Sequence, residues 1–379
     1  MKKSDKEIQN TSKKKQNNKK VKIPKTKSQK IKLKKQLIFF GISVLVIIVI
    51  LVLFITIINN KDNNKNSNNN DNKIEEKDNT KEEKKELKVY DITSDARPYA
   101  VMIPNDEVAK KRHYGLQKAY LVYEIVAEGG ITRFLALFKD ANLEKIGPVR
   151  SVRHYFLDYA LENDALFVHF GWSPQAQSDI STYGVENING LTYDGTYFWR
   201  ENISSPNNAY ISTENIMDVS EKLDYRTTSN DYQLLNYKND LDLTKDETYK
   251  SAKNVKINYN GTYVKYEYDE EKQYYLRYNN SSRHIDLETE EQIHVKNIIV
   301  LKVKNETIPN DSAGRQNLYN IGSGEGYFIS NGQSIEITWN KDKRTSKTIY
   351  KNKKGEEINV NDGNTFIQLQ PIDLSLTIE

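Results

Sequence analysis

Between Leu37 and Ile58 the chain reads LIFFGISVLVIIVILVLFITII, 22 residues without a charge. No other feature restricts the fold as severely. A helix of that length, at ~1.5 Å per residue, crosses the ~30 Å hydrocarbon layer of a bilayer. The stretch is apolar all round, so it lacks the polar face of a surface helix. A cleavable export signal has a shorter apolar region followed by a small-x-small site, whereas here Ile57-Ile58 runs directly into Asn59-Asn60. The expectation is an uncleaved transmembrane helix over 37–58, with the rest of the chain disposed on either side of it.

The flanks set the orientation. Residues 1–36 carry 15 Lys against Asp5 and Glu7, a composition that cannot bury enough surface to fold. Lys-rich flanks stay in the cytoplasm and touch anionic headgroups. Residues 59–88, with ten Asn, eight Lys and eight acidic residues, read as a disordered linker. The expected localisation is therefore the cell membrane, single-pass, with a disordered basic cytoplasmic tail and an extracellular C-terminal region. The whole chain is +4, and the part from residue 89 onward carries −9. That field disfavours generic binding of nucleic acid or teichoic-type polyanions to the exterior region, so any anion site must be local. With no Cys, disulfides, thiolate metal sites, a Cys nucleophile and a lipid-modified Cys are excluded. Contact with the membrane then rests on Leu37–Ile58.

The exterior part divides by pattern. In 92–225, RPYAVMI, AYLVYEIVAE, ITRFLALFK and ALFVHFG read as strands. Helices are expected after Ser151, from Ser173-Pro174 to Gly184, and over 212–223. This is an α/β or α+β layered domain. Residues 226–250 read as a linker. Residues 251–379 alternate aromatic and polar residues between turn signals and form a β-rich domain. Its many Tyr residues suit cross-strand pairs and core, or a sugar-stacking surface. Two separate cores are expected.

The segments RPYAVMI, EGGITRFLALF, KIGPVRSVRH, FVHFGWSPQA and YFWRENISSPNNAY, in that order, resemble the YerB-like lipoprotein family of the bacterial envelope, over about residues 92–235. GEGYFISNGQSIEITWNK and GEEINVNDGNTFIQL resemble that family's C-terminal domain. The resemblance implies an extracytoplasmic, membrane-attached protein built on domains of unknown function, and supplies no activity. The chain departs from it twice. It has no lipobox Cys, and it carries Pro206-Asn207-Asn208 where the family often has Pro-His-Asn.

Candidate site residues cluster around two features. With a two-residue turn at Gly129-Gly130, Val126 lies opposite Arg133, which then shares a sheet face with the supporting carboxylates Glu124 and Glu128. In KIGPVRSVRH, a helix capped by Ser151 presents unpaired N–H groups that attract anions. Arg150 and Arg153 at that end call for a negative partner, either a ligand or a carboxylate of the chain, and His154 follows. Further candidates are Trp172 and Ser173 at the next helix start, and Arg200, Asn207 and Asn208 in a polar loop. His169, one residue before the end of its strand, reads as a hydrogen-bonded core residue. No Walker loop, GxSxG or HExxH is present, and no metal or cofactor site is expected.

The functional expectation is a protein without evident catalysis that binds a cell-envelope component or partner protein through an Arg-rich site. Two alternatives remain: an envelope enzyme or carrier acting on a phosphorylated lipid or glycan, and a membrane scaffold or sensor.

Overall fold

The computed structural model describes residues 88–91, 93–229 and 233–379. The basic tail, the transmembrane helix over 37–58 and nearly all of the linker over 59–88 lie outside the described residues. Among the described residues no helix is long and apolar enough to cross a membrane.

The apolar runs of both halves belong to one eleven-stranded mixed sheet. Five strands come from the first half: β1 (Tyr99–Asn105), β2 (Leu121–Val126), β3 (Thr132–Phe138), β4 (Leu166–His169) and β5 (Asn187–Asn189). They stand in the order β2-β3-β1-β4-β5. Against β2 lies Thr365–Pro371, the penultimate strand of the chain, in parallel register from Leu121↔Thr365 to Ile125↔Leu369. Asn297–Val303, Gly322–Ser330, Gln333–Lys341 and Ile349–Lys351 continue the sheet outward. β1, β2 and β3 are buried along both faces except at Asn105, which explains their near-continuous apolar sequences.

Each face of this sheet has its own cover. Ala100, Met102, Tyr123, Ile125 and Leu135 pack with Tyr155, Phe156 and Tyr159 around the helix Phe156–Glu162. Val101, Val122, Phe134 and Phe366 pack with Val255, Ile257, Val264 and Tyr266. The latter come from a second, six-stranded sheet that includes Asn254–Tyr259, Thr262–Asp269, Tyr274–Asn279 and Leu376–Ile378. Its strands alternate buried and open residues, as strands with one covered face must.

The expectation of separate cores over 92–225 and 251–379 is therefore corrected. The described residues all fall within one unit, 83–379, because a strand of the second half completes the sheet of the first. Nor is 226–250 a free linker in its described parts. Asn236–Lys238 pairs with Asn359–Asn361, and Lys250–Ser251 with Gln333–Ser334. Residues 253–379 produced alone are expected to lack a folded core, since Thr365–Pro371 would lose β2. A poorly dispersed amide proton spectrum is the expected result. A well-dispersed one would show that the halves fold independently.

Candidate functional site

The segment 147–153 runs alongside β1 at Met102 in an extended conformation. Its backbone bonds leave in several directions: Val149 N–H to Ala209 O (2.8 Å), Arg150 N–H to Met102 O (2.9 Å), Val152 N–H to Gly171 O (3.0 Å). Held this way it cannot start a helix. The helix begins at Phe156, spans seven residues and has no side-chain cap, so Ser151 is not an N-cap. The next helix, Pro174–Thr182, starts as expected. Ser173 caps it by accepting the Ala176 N–H at 3.2 Å, with Pro174 in the first turn.

The arginines do gather, around one carboxylate. Glu128 accepts from Arg133 Nη2 at 2.8 Å and from Arg153 Nε. Arg133 Nη1 also donates to Ser151 O at 2.8 Å, and Arg153 Nη1 to Val152 O at 2.9 Å. Burial, with the neighbouring charge of Arg153, lowers the Arg133 pKa to about 10. Arg150 stands beside this cluster. Burial lowers its pKa, opposed by the Asp106 carboxylate, but among the described residues its guanidinium has no hydrogen bond or ion pair. Three guanidinium groups thus face two carboxylates, Glu128 and Asp106.

Glu124 is elsewhere. The β2–β3 connection is Ala127–Ile131, with a 3-10 turn at Glu128–Gly130, and Ile125, not Val126, lies opposite Arg133. A one-residue slip moves a side chain to the other face. Glu124 points between the two sheets, where it accepts from Arg277 Nη2 (2.6 Å), Thr132 Oγ1 (2.7 Å) and Asn105 Nδ2 (2.9 Å). Arg277 also donates to His284 Nδ1 at 2.6 Å, and His284 Nε2 meets His113 Nδ1 at 2.6 Å. His113 Nε2 lies 2.7 Å from Pro104 O. Only one pattern of tautomers satisfies this chain: both rings neutral, each with its proton on Nε2. Burial lowers the His113 pKa to about 4 and holds that of His284 well below its ordinary value.

Arg153 also borders a cleft of about 200 Å³ with His154, Ser173, Pro174 and Gln175. Its opposite wall is the hairpin between Asn305–Thr307 and Gln316–Leu318, through Ile308, Asp311, Arg315 and Gln316. Arg315 is held by Asp311 at 2.7 Å. In the first helical turn the Gln175 N–H has no intrahelical acceptor. Burial and the Arg344 charge lower the His154 pKa to about 4, so its ring is neutral at pH 7. The cleft combines two guanidinium groups, a helix start and the Gln175 amide, donors suited to an anion, whereas the Gln316 amide is already spent on Thr307 Oγ1 and Gly314 O.

The other expected residues lie apart from it. Arg200 bridges Asp194 (2.9 Å) and Asn208 Oδ1 (2.8 Å) over the Phe170 ring. Asn207 donates to both oxygens of Asp106. Trp172 packs against the helix-side core, 5.6 Å from the His169 ring. His169 is buried with contacts to Gly171 O and Asn187 Oδ1, as its core reading requires. Sequence reasoning missed Arg315, Asp311 and Gln316, because only the fold brings that hairpin to the helix start. Among the described residues no group of three or more His, Cys, Asp or Glu is placed to hold a metal ion.

Comparison with known proteins gives consistent results. The family described as protein of unknown function (DUF3048) matches with its N-terminal domain over residues 86–226 and its C-terminal domain over 253–367. The chain is 33% identical over 291 residues to the Bacillus subtilis (strain 168) protein named "Putative lipoprotein YerB", covering 75% of this chain and 84% of that one. The crystal structure of YerB from Bacillus subtilis matches with a TM-score of 0.65 at 31% identity, over 74% of this chain and 94% of that one.

Proposed function

The chain belongs to the DUF3048 family, and from that premise we propose that it is a membrane-attached protein of the cell envelope that binds an anionic envelope component in the cleft between the helix start at Ser173 and the Ile308–Gln316 hairpin. The observation that carries this reading is the lining of the cleft. Arg153 and Arg315 border it from opposite walls, and each is held by a single carboxylate, Glu128 or Asp311. An incoming phosphate or carboxylate gains two charge-assisted contacts and the helix-start N–H groups. Arg150, outside the cleft lining, adds to the positive field.

Attachment to the envelope is supported by the lipoprotein name of the Bacillus relative. Since this chain has no Cys, its anchor is the apolar run 37–58, with the Lys-rich tail inside and the folded region outside. The reading is of binding rather than catalysis. His154 has its pKa lowered to about 4, far from the value of a proton-transfer group at neutral pH.

The test is a binding titration of the full-length chain in neutral detergent with inorganic phosphate, glycerol phosphate and a neutral glycan fragment. Arg315→Ala removes a half-exposed side chain whose ion partner is in its own hairpin, so stability should change by less than about 1 kcal/mol. Binding of the phosphate-bearing probes should fall roughly tenfold or more, and by only a few-fold in Arg150→Ala. Equal binding by Arg315→Ala and the parent would rule out the cleft.

A further inference from the structure

The second sheet has one face on the core and one in solvent, and the open face carries an unusual row of side chains. Reading across the register, Lys256 lies opposite Lys265, Lys265 opposite Tyr278, and Tyr278 opposite Arg283. Two lysines directly opposite each other repel, and a sheet ordinarily avoids that pairing. Lys256 and Arg283 have no carboxylate partner among the described residues. Lys256 rests over the Tyr263 ring at 4.2 Å and Arg283 donates to Gln292. Lys265 lies over the Tyr278 ring at 5.3 Å and pairs with Glu267. At ~4.8 Å between strands, the row places three cations and one aromatic ring along about 14 Å. It does so on a region whose overall charge is negative from residue 89 onward.

We propose that this row is a docking track for a linear anionic envelope polymer, a phosphodiester-linked polyol or sugar chain, independent of the cleft. Charge complementarity selects an anion, and the width of the row selects its shape. One row along the strands the face turns acidic at Glu267, and a further row brings Asp269, beside Tyr274. A flat anionic membrane laid on the sheet would meet these carboxylates together with the cations. A single-file polymer meets the row and Glu267, whose carboxylate is already neutralised by Lys265, but not Asp269. Tyr263 and Tyr278 offer half-exposed rings on which polyol or sugar faces can rest.

The test uses residues 83–379, without the Lys-rich tail, over an immobilised glycerol-phosphate oligomer. The double variant Lys256→Glu/Arg283→Glu alters two exposed side chains and should fold. It is expected to bind the oligomer roughly tenfold more weakly or worse, while Arg315→Ala binds as the parent does, which separates the track from the cleft. Parent-level binding by the double variant overturns the proposal. So does a parent chain that ignores the oligomer but is captured by vesicles containing anionic lipid through Lys256 and Arg283, because the occupant is then a membrane surface.

Discussion

Replacing Arg277 by methionine is expected to destabilise the folded region by about 3–5 kcal/mol, the largest effect of any single substitution considered. Arg277 is fully buried and Glu124 is 1% exposed. Removing the cation leaves a carboxylate between two sheets with only Thr132 and Asn105 as donors. It also leaves the His284 ring nitrogen without its donor. The loss reflects the stranded carboxylate rather than the worth of the pair, so a second change distinguishes the two. Glu124→Gln/Arg277→Met replaces both charges and should recover most of the stability. Urea unfolding of residues 83–379 measures both. A double variant no more stable than Arg277→Met would mean that the ion pair itself, not its burial, governs this interface.

The second large effect is acid lability. His113 and His284 are buried and neutral, with pKa values lowered below the ordinary ~6.5 of histidine. Between about pH 6.5 and 4 the unfolded chain binds protons that the folded chain refuses. Their stabilising contribution is therefore complete above pH 6.5 and is lost as pH falls. For His113 alone, with its pKa lowered to about 4, the loss across that window is roughly 3 kcal/mol. His154, His169 and His294 shift in the same direction. Asp158 opposes them, since burial raises its pKa to about 6 and makes the folded state take up a proton first. With five histidines against Asp158 and Glu288, whose pKa burial also raises, the urea midpoint should fall steeply from pH 6.5 to pH 4.5. A flat profile would show that the two rings are not held neutral.

The strands were legible wherever apolar residues ran continuously or alternated, the Ser173-Pro174 helix start was legible from its cap, and the helix over 212–223 was legible as an element, with Ser212 emerging as its cap in the structure. Pairing was not. Gly129-Gly130 reads as a two-residue turn, yet Gly130 is small for a distant reason. A Cβ there would lie 1.6 Å from the carbonyl oxygen of Asn260, in the turn of another sheet. The connection is therefore longer, and the slip of one residue sends Glu124 to Arg277 instead of Arg133. Ser151 has the chemistry of a cap, but backbone bonds from Arg150 to Met102 and from Val152 to Gly171 keep that segment extended. The insertion of Thr365–Pro371 beside β2 joins residues more than two hundred positions apart, and no local pattern records it. The same long-range closure brings Arg315 opposite Arg153, and so the anion cleft was only half visible.

The central claim is that an anion is held between Arg153 and Arg315 at the Ser173 helix start. The most direct measurement is a nuclear magnetic resonance titration of the arginine Nε–Hε signals with glycerol phosphate. Saturable shifts at Arg153 and Arg315, a smaller one at Arg150 and none at the buried Arg277 are the predicted result. Saturable shifts confined to arginines outside the cleft, with Arg153 and Arg315 unmoved, would contradict it.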